Sequence, residues 1–123
     1  MAYTLLNGSD RVIDHGKSGM WTWRKWASGV LECWGTYTAS IAVDVSSPAY
    51  GGYRSDSITV TNYPIQFKNT PQVLLMGGAG CNGCWVNNAS GGGVAACKFY
   101  LSSAVSMATS NKSIHVHAIG AWK

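Results

Sequence analysis

Apolar and polar residues alternate with a period of two in short stretches of the chain, and each stretch is closed by Gly, Pro, Ser or Asn. That pattern predicts strands joined by tight turns. Asp10 to His15 reads as a short strand, Gly16-Lys17-Ser18-Gly19 as its turn, and Met20 to Ala27 (MWTWRKWA) as an aromatic second strand. Ser28-Gly29 turns the chain again. Val30 to Val45 then makes one long strand, or two strands sharing a bulge at Gly35, where a glycine inside a strand marks a bend. Leu31, Cys33, Tyr37, Ile41, Val43 and Val45 fall on one face, the core face; Glu32, Trp34, Thr36, Thr38 and Asp44 fall on the other. Trp34, set among polar groups, is placed to face a second subunit.

Further along, Ser46 to Tyr53 (SSPAYGGY) reads as a loop by its Pro, Gly and Ser content. Ser57 to Tyr63 is a strand stopped by Pro64, and Phe67 and Pro71 lead into an apolar strand from Gln72 to Met76. Gly77 to Gly93 (GGAGCNGCWVNNASGGG) is as long as loops in compact domains rarely are, and it is expected to hide a short strand around Trp85-Val86. Lys98 to Met107 and Ser113 to Trp122 supply the last two strands. Roughly seven short strands with no helical period predict an all-β fold, a compact antiparallel β-sandwich.

Composition agrees: only 11% of residues are charged, against 15 glycines, 6 Trp and 6 Tyr. The longest stretch free of Gly and Pro, Val94 to Ile119, is rich in Ser, Val, Thr and aromatic residues, which favour strands. The length fits one domain over residues 10–123, with residues 1–9 as a lead-in from a preceding shaft or added ahead of the domain. A net charge of +4 arises from scarce acids, and the nine basic residues are scattered, with Arg24-Lys25 the only adjacent pair. No basic patch for nucleic acid is expected. The N-terminus lacks a signal-peptide pattern and no apolar run reaches membrane-spanning length, so the expectation is a soluble chain made in a cytoplasm, without membrane insertion.

The five carboxylates, Asp10, Asp14, Glu32, Asp44 and Asp56, carry no glycosidase motif. A hydrolase triad fares no better: there is no nucleophile elbow, and Asp14 and His15 are neighbours pointing to opposite faces of a strand. A non-enzymatic domain without cofactor is therefore expected. Cys33, Cys81, Cys84 and Cys97 leave three readings open: free or buried thiols, a disulfide within Cys81, Cys84 and Cys97, or a structural zinc site. His115-Val116-His117 puts two imidazoles on one strand face, too few alone for a metal and also suited to packing at a subunit interface. Asn7, Asn88 and Asn111 open glycosylation sequons, read as chance in a chain without an export signal.

Trp21 to Gly35 (WTWRKWASGVLECWG), with its aromatic strand, Lys-Trp pair, Ser-Gly turn and Trp-Gly ending, resembles terminal domains of phage tail proteins from Gram-positive hosts. Asn62 to Val73 (NYPIQFKNTPQV) is similar to the family's Pro-x-x-Phe-x-x-x-Pro-x-Val segment, and Ile114 to Lys123 (IHVHAIGAWK) to its closing strand. The resemblance covers most of residues 10–123 and points to the C-terminal receptor-binding domain of a phage or prophage tail fibre. It implies an H-type-lectin-like sandwich, a homotrimer at a fibre tip in the virion, and host-surface glycan as the partner. It also implies that three copies of His115 and His117 on a three-fold axis could hold an iron ion, as in some phage spikes. Gly77 to Gly93 departs from the family pattern, and no sugar-binding residue is carried over from it.

Sugar recognition wants an aromatic face for the apolar side of a pyranose beside groups that hydrogen-bond its hydroxyls. Two loops offer that chemistry: Tyr50, Tyr53, Arg54 and Asp56 in one, Trp85, Asn87 and Asn88 in the other. Packing is the competing role for each aromatic, above all Trp34 and Trp122. Because shallow sugar sites bind weakly, a trimer would gain strength by avidity. A trimeric structural tip that binds no glycan is the rival reading, and a cell-wall hydrolase using Asp56 or Glu32 the more remote one.

Overall fold

The computed structural model describes residues 10–50 and 52–123. Among them lie ten strands: β1 (Val12–Ser18), β2 (Trp21–Trp26), β3 (Val30–Val43), β4 (Val45–Ser47), β5 (Gly52–Arg54), β6 (Ile58–Thr59), β7 (Gln72–Gly77), β8 (Cys84–Asn88), β9 (Lys98–Ser103) and β10 (Met107–Ala121). The all-β, antiparallel expectation holds. One sheet, sheet A, runs β1-β2-β3-β10-β7. In the other, sheet B, β5 and β6 pair with one edge of β9 and β8 with its other edge, while β4 closes on β5.

Alternation sets the core. Leu31, Cys33, Ile41 and Val43 of β3 and Ile114, Val116 and Ala118 of β10 turn inward, against Phe99 and Leu101 of β9. Tyr37 of β3 meets Phe99 edge-on with ring centroids 6.0 Å apart, which marks where the sheets face each other. The segment between β6 and β7 fills one side of the core with Val60, Tyr63 and Phe67, and Trp21 packs on Tyr63 at 5.2 Å. Lys112 is fully buried; its ammonium donates to the Ile41 carbonyl at 2.8 Å and the Ser110 hydroxyl at 2.7 Å, which offsets the cost of hiding the charge.

Several local expectations are corrected. Gly16-Lys17-Ser18 continues β1 rather than turning: Gly16 lies against the Trp23 ring, where an added Cβ would come 3.0 Å from the indole. No bulge forms at Gly35, which pairs with Trp21 on one side and Val116 on the other. Its missing side chain serves close approach, since a Cβ there would sit 2.1 Å from the Met20 carbonyl oxygen. The register shifts fall instead between Val12 and Asp14 and between Met107 and Ser110. Ser46 to Tyr53 holds β4, a 3-10 turn at Pro48–Tyr50 and the start of β5, not a plain loop. Of Ser57 to Tyr63 only Ile58–Thr59 is strand, because Val60 and Tyr63 donate to the Cys97 and Ala95 carbonyls outside regular pairing. The Lys98 strand stops at Ser103, and the last strand starts earlier, at Met107. The strand expected around Trp85-Val86 is present as β8.

Candidate functional site

Two outer faces carry the exposed chemistry. On sheet A, the register places Met76 beside His115 and Leu74 beside His117, with His115 and His117 paired in turn with Thr36 and Trp34 of β3. All of these point away from the core. Leu74 is 70% exposed and Met76 67%, unusual for large apolar side chains in the middle of a strand, and Ile119 extends the band. Leu74, Met76, His115 and His117 line a shallow groove of about 690 Å³ together with Trp34, Arg24 and Glu32.

A polar knot closes one side of that groove. The β2–β3 hairpin sets Arg24 opposite Glu32. Glu32 Oε1 accepts from Arg24 Nε at 2.6 Å and from Trp26 Nε1 at 3.0 Å, and Oε2 lies 3.3 Å from His117 Nε2. The Arg24 guanidinium lies over both the Trp26 and Trp34 rings, at 5.3 and 5.2 Å. Burial works against ionising Glu32, but the hydrogen bonds from Arg24, Trp26 and His117 and the Arg24 charge outweigh it and hold its carboxyl below the ordinary value. Glu32 is thus a fixed anion at the edge of an apolar band. Arg24 and Trp26 were not among the expected site residues, and Glu32 was expected only as a candidate carboxylate of the remote hydrolase reading; the β2–β3 register brings the three together.

On sheet B, Trp85 and Arg54 flank Ser102 of β9 from opposite sides, and Asn87 pairs with Tyr100. These side chains share the outer face. Trp85 is 46% exposed, while Asn87 donates from Nδ2 to the Ser102 hydroxyl at 2.8 Å. Arg54 and Tyr100 border a smaller depression of about 270 Å³ with Ser57, Ala89 and Ser90.

Not all of the sequence-expected sugar residues meet there. Tyr53 pairs with Ser103, one residue on from Ser102, so it turns to the opposite face and packs against the core. Tyr53 and Trp85 do not converge. Asp56 is exposed beyond the end of β5, and Asn88 lines a different depression, beside Ser90 and Gly91. The side chain of Tyr50 and residues 1–9 lie outside the described residues. Trp122 takes its packing role: its Nε1 donates to the Trp26 carbonyl at 2.9 Å, and Lys25 and Lys123 lie over its ring.

His115 and His117 share a face, as alternation requires, but their nitrogens have protein company. His115 Nδ1 is 3.0 Å from the Thr36 hydroxyl and His117 is on Glu32. Among the described residues no three His, Cys, Asp or Glu side chains cluster as metal ligands. All four cysteines are free thiols. Cys33 and Cys97 lie in the core next to Tyr63; burial pushes the Cys33 thiol up to about 12 and also raises Cys97 and Tyr63.

No family model matches the chain, and no curated protein matches it. Among solved structures, a C-terminal piece of the R1 pyocin fibre of P. aeruginosa is similar to it, with a TM-score of 0.61 at 19% identity. The likeness covers 90% of this chain. It shows the fold. The chain spans 28% of the length of that fibre piece.

Proposed function

We propose that this chain is an attachment domain of a tail fibre, H-type-lectin-like in assembly, which trimerises through the outer face of sheet A and binds host-surface carbohydrate through the outer face of sheet B. The observation that carries the reading is the fold: nearly the whole chain overlays on part of a fibre from a structurally similar protein. The sheet A groove supports self-association, because the exposed Leu74 and Met76 make it apolar, with Arg24 and Glu32 also lining it and Ile119 exposed on the same sheet. Three copies brought together there would also gather His115 and His117 around the axis. The exposed Trp85 ring, with Arg54 and Tyr100 nearby, supports the carbohydrate face. The reading is non-enzymatic: Glu32, one of the two carboxylates a hydrolase would use, is engaged by three donors, and it is on β3 of sheet A whereas Asp56 follows β5 of sheet B.

A second reading, a structural tip that binds no glycan, is favoured by one observation: Tyr53 faces the core, so Trp85 stands alone as an exposed aromatic among the expected sugar residues whose side chains are described. Glycan-array screening of the purified domain separates the two. Binding that disappears in Trp85→Ala supports attachment through sheet B, and a blank array from an intact trimer supports the structural tip.

A further inference from the structure

We propose that Cys81 and Cys84 are a built-in dithiol that closes to a disulfide across a single β-turn in an oxidising medium, stapling the connection between the two sheets. The pair lies between β7, an edge strand of sheet A, and β8, an outer strand of sheet B. Here the chain passes from one sheet to the other.

The turn is already formed. The Cys84 N–H donates to the Cys81 carbonyl at 3.2 Å, and Gly83 holds the third position with φ of +81°, a value that suits glycine. A β-turn brings its first and fourth Cα atoms within about 7 Å, and disulfides span about 4.4–6.8 Å. The two thiols lie around the same turn: Cys84 Sγ donates to the Cys81 carbonyl oxygen at 3.4 Å and Cys81 Sγ to that of Ser113 at 3.5 Å. The loop is also tied down at its start, since Gly78 donates to the Ser113 carbonyl and Ser113 to the Ala79 carbonyl, each at 2.8 Å. Closure therefore needs side-chain rotation and little backbone movement.

Access orders the chemistry. Cys84 is partly exposed and Cys81 only 8% exposed, so Cys84 meets the oxidant first. Its thiolate attacks one sulfur of a small-molecule disulfide such as oxidised glutathione, leaving a mixed disulfide on Cys84 and releasing one thiol. The Cys81 thiolate then attacks the Cys84 sulfur; the Cys81–Cys84 bond forms, the mixed bond breaks and a second thiol leaves. The two protons lost by the cysteines end on the two released thiols, so two cysteines are oxidised and one disulfide molecule is reduced. Burial and the adjoining Cys81 push the Cys84 thiol up to about 11, with Lys112 working the other way. Closure is accordingly slow near neutrality and quickens roughly tenfold per pH unit with the thiolate fraction. Cys33 and Cys97, at 0% and 5% exposure, are shielded in the folded chain.

The test incubates the folded chain with oxidised glutathione at mildly alkaline pH, quenches with acid, and maps the products by mass after alkylation under denaturing conditions. The expected result is a peptide carrying residues 81–84 lighter by two hydrogens, alkylation reduced from four thiols to two, and a melting temperature higher by about 5 °C. Cys81→Ser should stop at glutathione on Cys84, and Cys84→Ser should give neither product. Wild-type protein that accumulates the Cys84 adduct without closing it would overturn the proposal. So would a bond from either cysteine to Cys33 or Cys97, or four thiols still alkylated after prolonged exposure.

Discussion

The outer faces of the two sheets are built from the same alternation, yet they offer different things to the surroundings. Sheet A presents a broad apolar band, Leu74, Met76 and Ile119, bordered by an ion pair whose members are already bound to one another. Sheet B presents one exposed indole, Trp85, amid hydroxyls, amides and Arg54. A face of the first kind gains most from permanent cover, because large apolar area left in water is costly and its polar rim has few unpaired groups to lose. The second kind suits a ligand that comes and goes. On the proposed function, the first face is the side for further copies of the chain and the second the side for a target.

The largest effect expected from breaking that division comes from charging the apolar band. Leu74→Asp with Met76→Asp should convert the proposed trimer to monomer, at a cost of about 2 kcal/mol or more for each apolar side chain replaced, while circular dichroism stays that of an all-β domain. Sedimentation velocity reads the outcome.

Next comes the pair that the two faces of sheet B keep apart. Tyr53→Ala removes a core-packed ring and should destabilise folding by about 2–3 kcal/mol in urea denaturation. Trp85→Ala, on the outer face, should change stability by no more than about 0.5 kcal/mol and yet abolish any carbohydrate binding. Equal stability losses at the two positions would contradict the assigned faces.

A smaller effect is expected at Glu32. Glu32→Gln keeps the shape but removes the charge facing Arg24, and should cost about 1 kcal/mol at neutral pH, because Arg24 is partly solvated. The sign with pH follows from the lowered folded value. The contribution of Glu32 is complete above the ordinary value of 4.5 and is lost as pH falls through the lower folded value. Denaturation curves of the two proteins should therefore approach each other only below pH 4.5.

Much of this fold is legible in the sequence, and the exceptions have physical causes. The inward set of β3, from Leu31 to Val43, can be read because a half-buried strand must alternate. Gly16-Lys17-Ser18-Gly19 has the composition of a turn, whereas Gly16 is in a strand to seat the Trp23 indole, an approach between residues on neighbouring strands. The sugar residues fail for a related reason. Loop composition identifies aromatic and polar groups but not the face they take. That is decided by pairing to β9, where Tyr53 meets Ser103 and Trp85 meets Ser102, and one residue of register sends the rings to opposite sides. The Arg24–Glu32 pair is hidden because its members stand on separate strands, and only the hairpin register sets them opposite each other.

Whether sheet A is a side for its own copies is tested most directly by the molar mass of the purified domain, measured by light scattering across a range of concentrations. A stable species of three times the 13.1 kDa chain mass is expected. A particle of one chain mass at every concentration, with its Leu74 and Met76 face open to water, would contradict that division of the molecule.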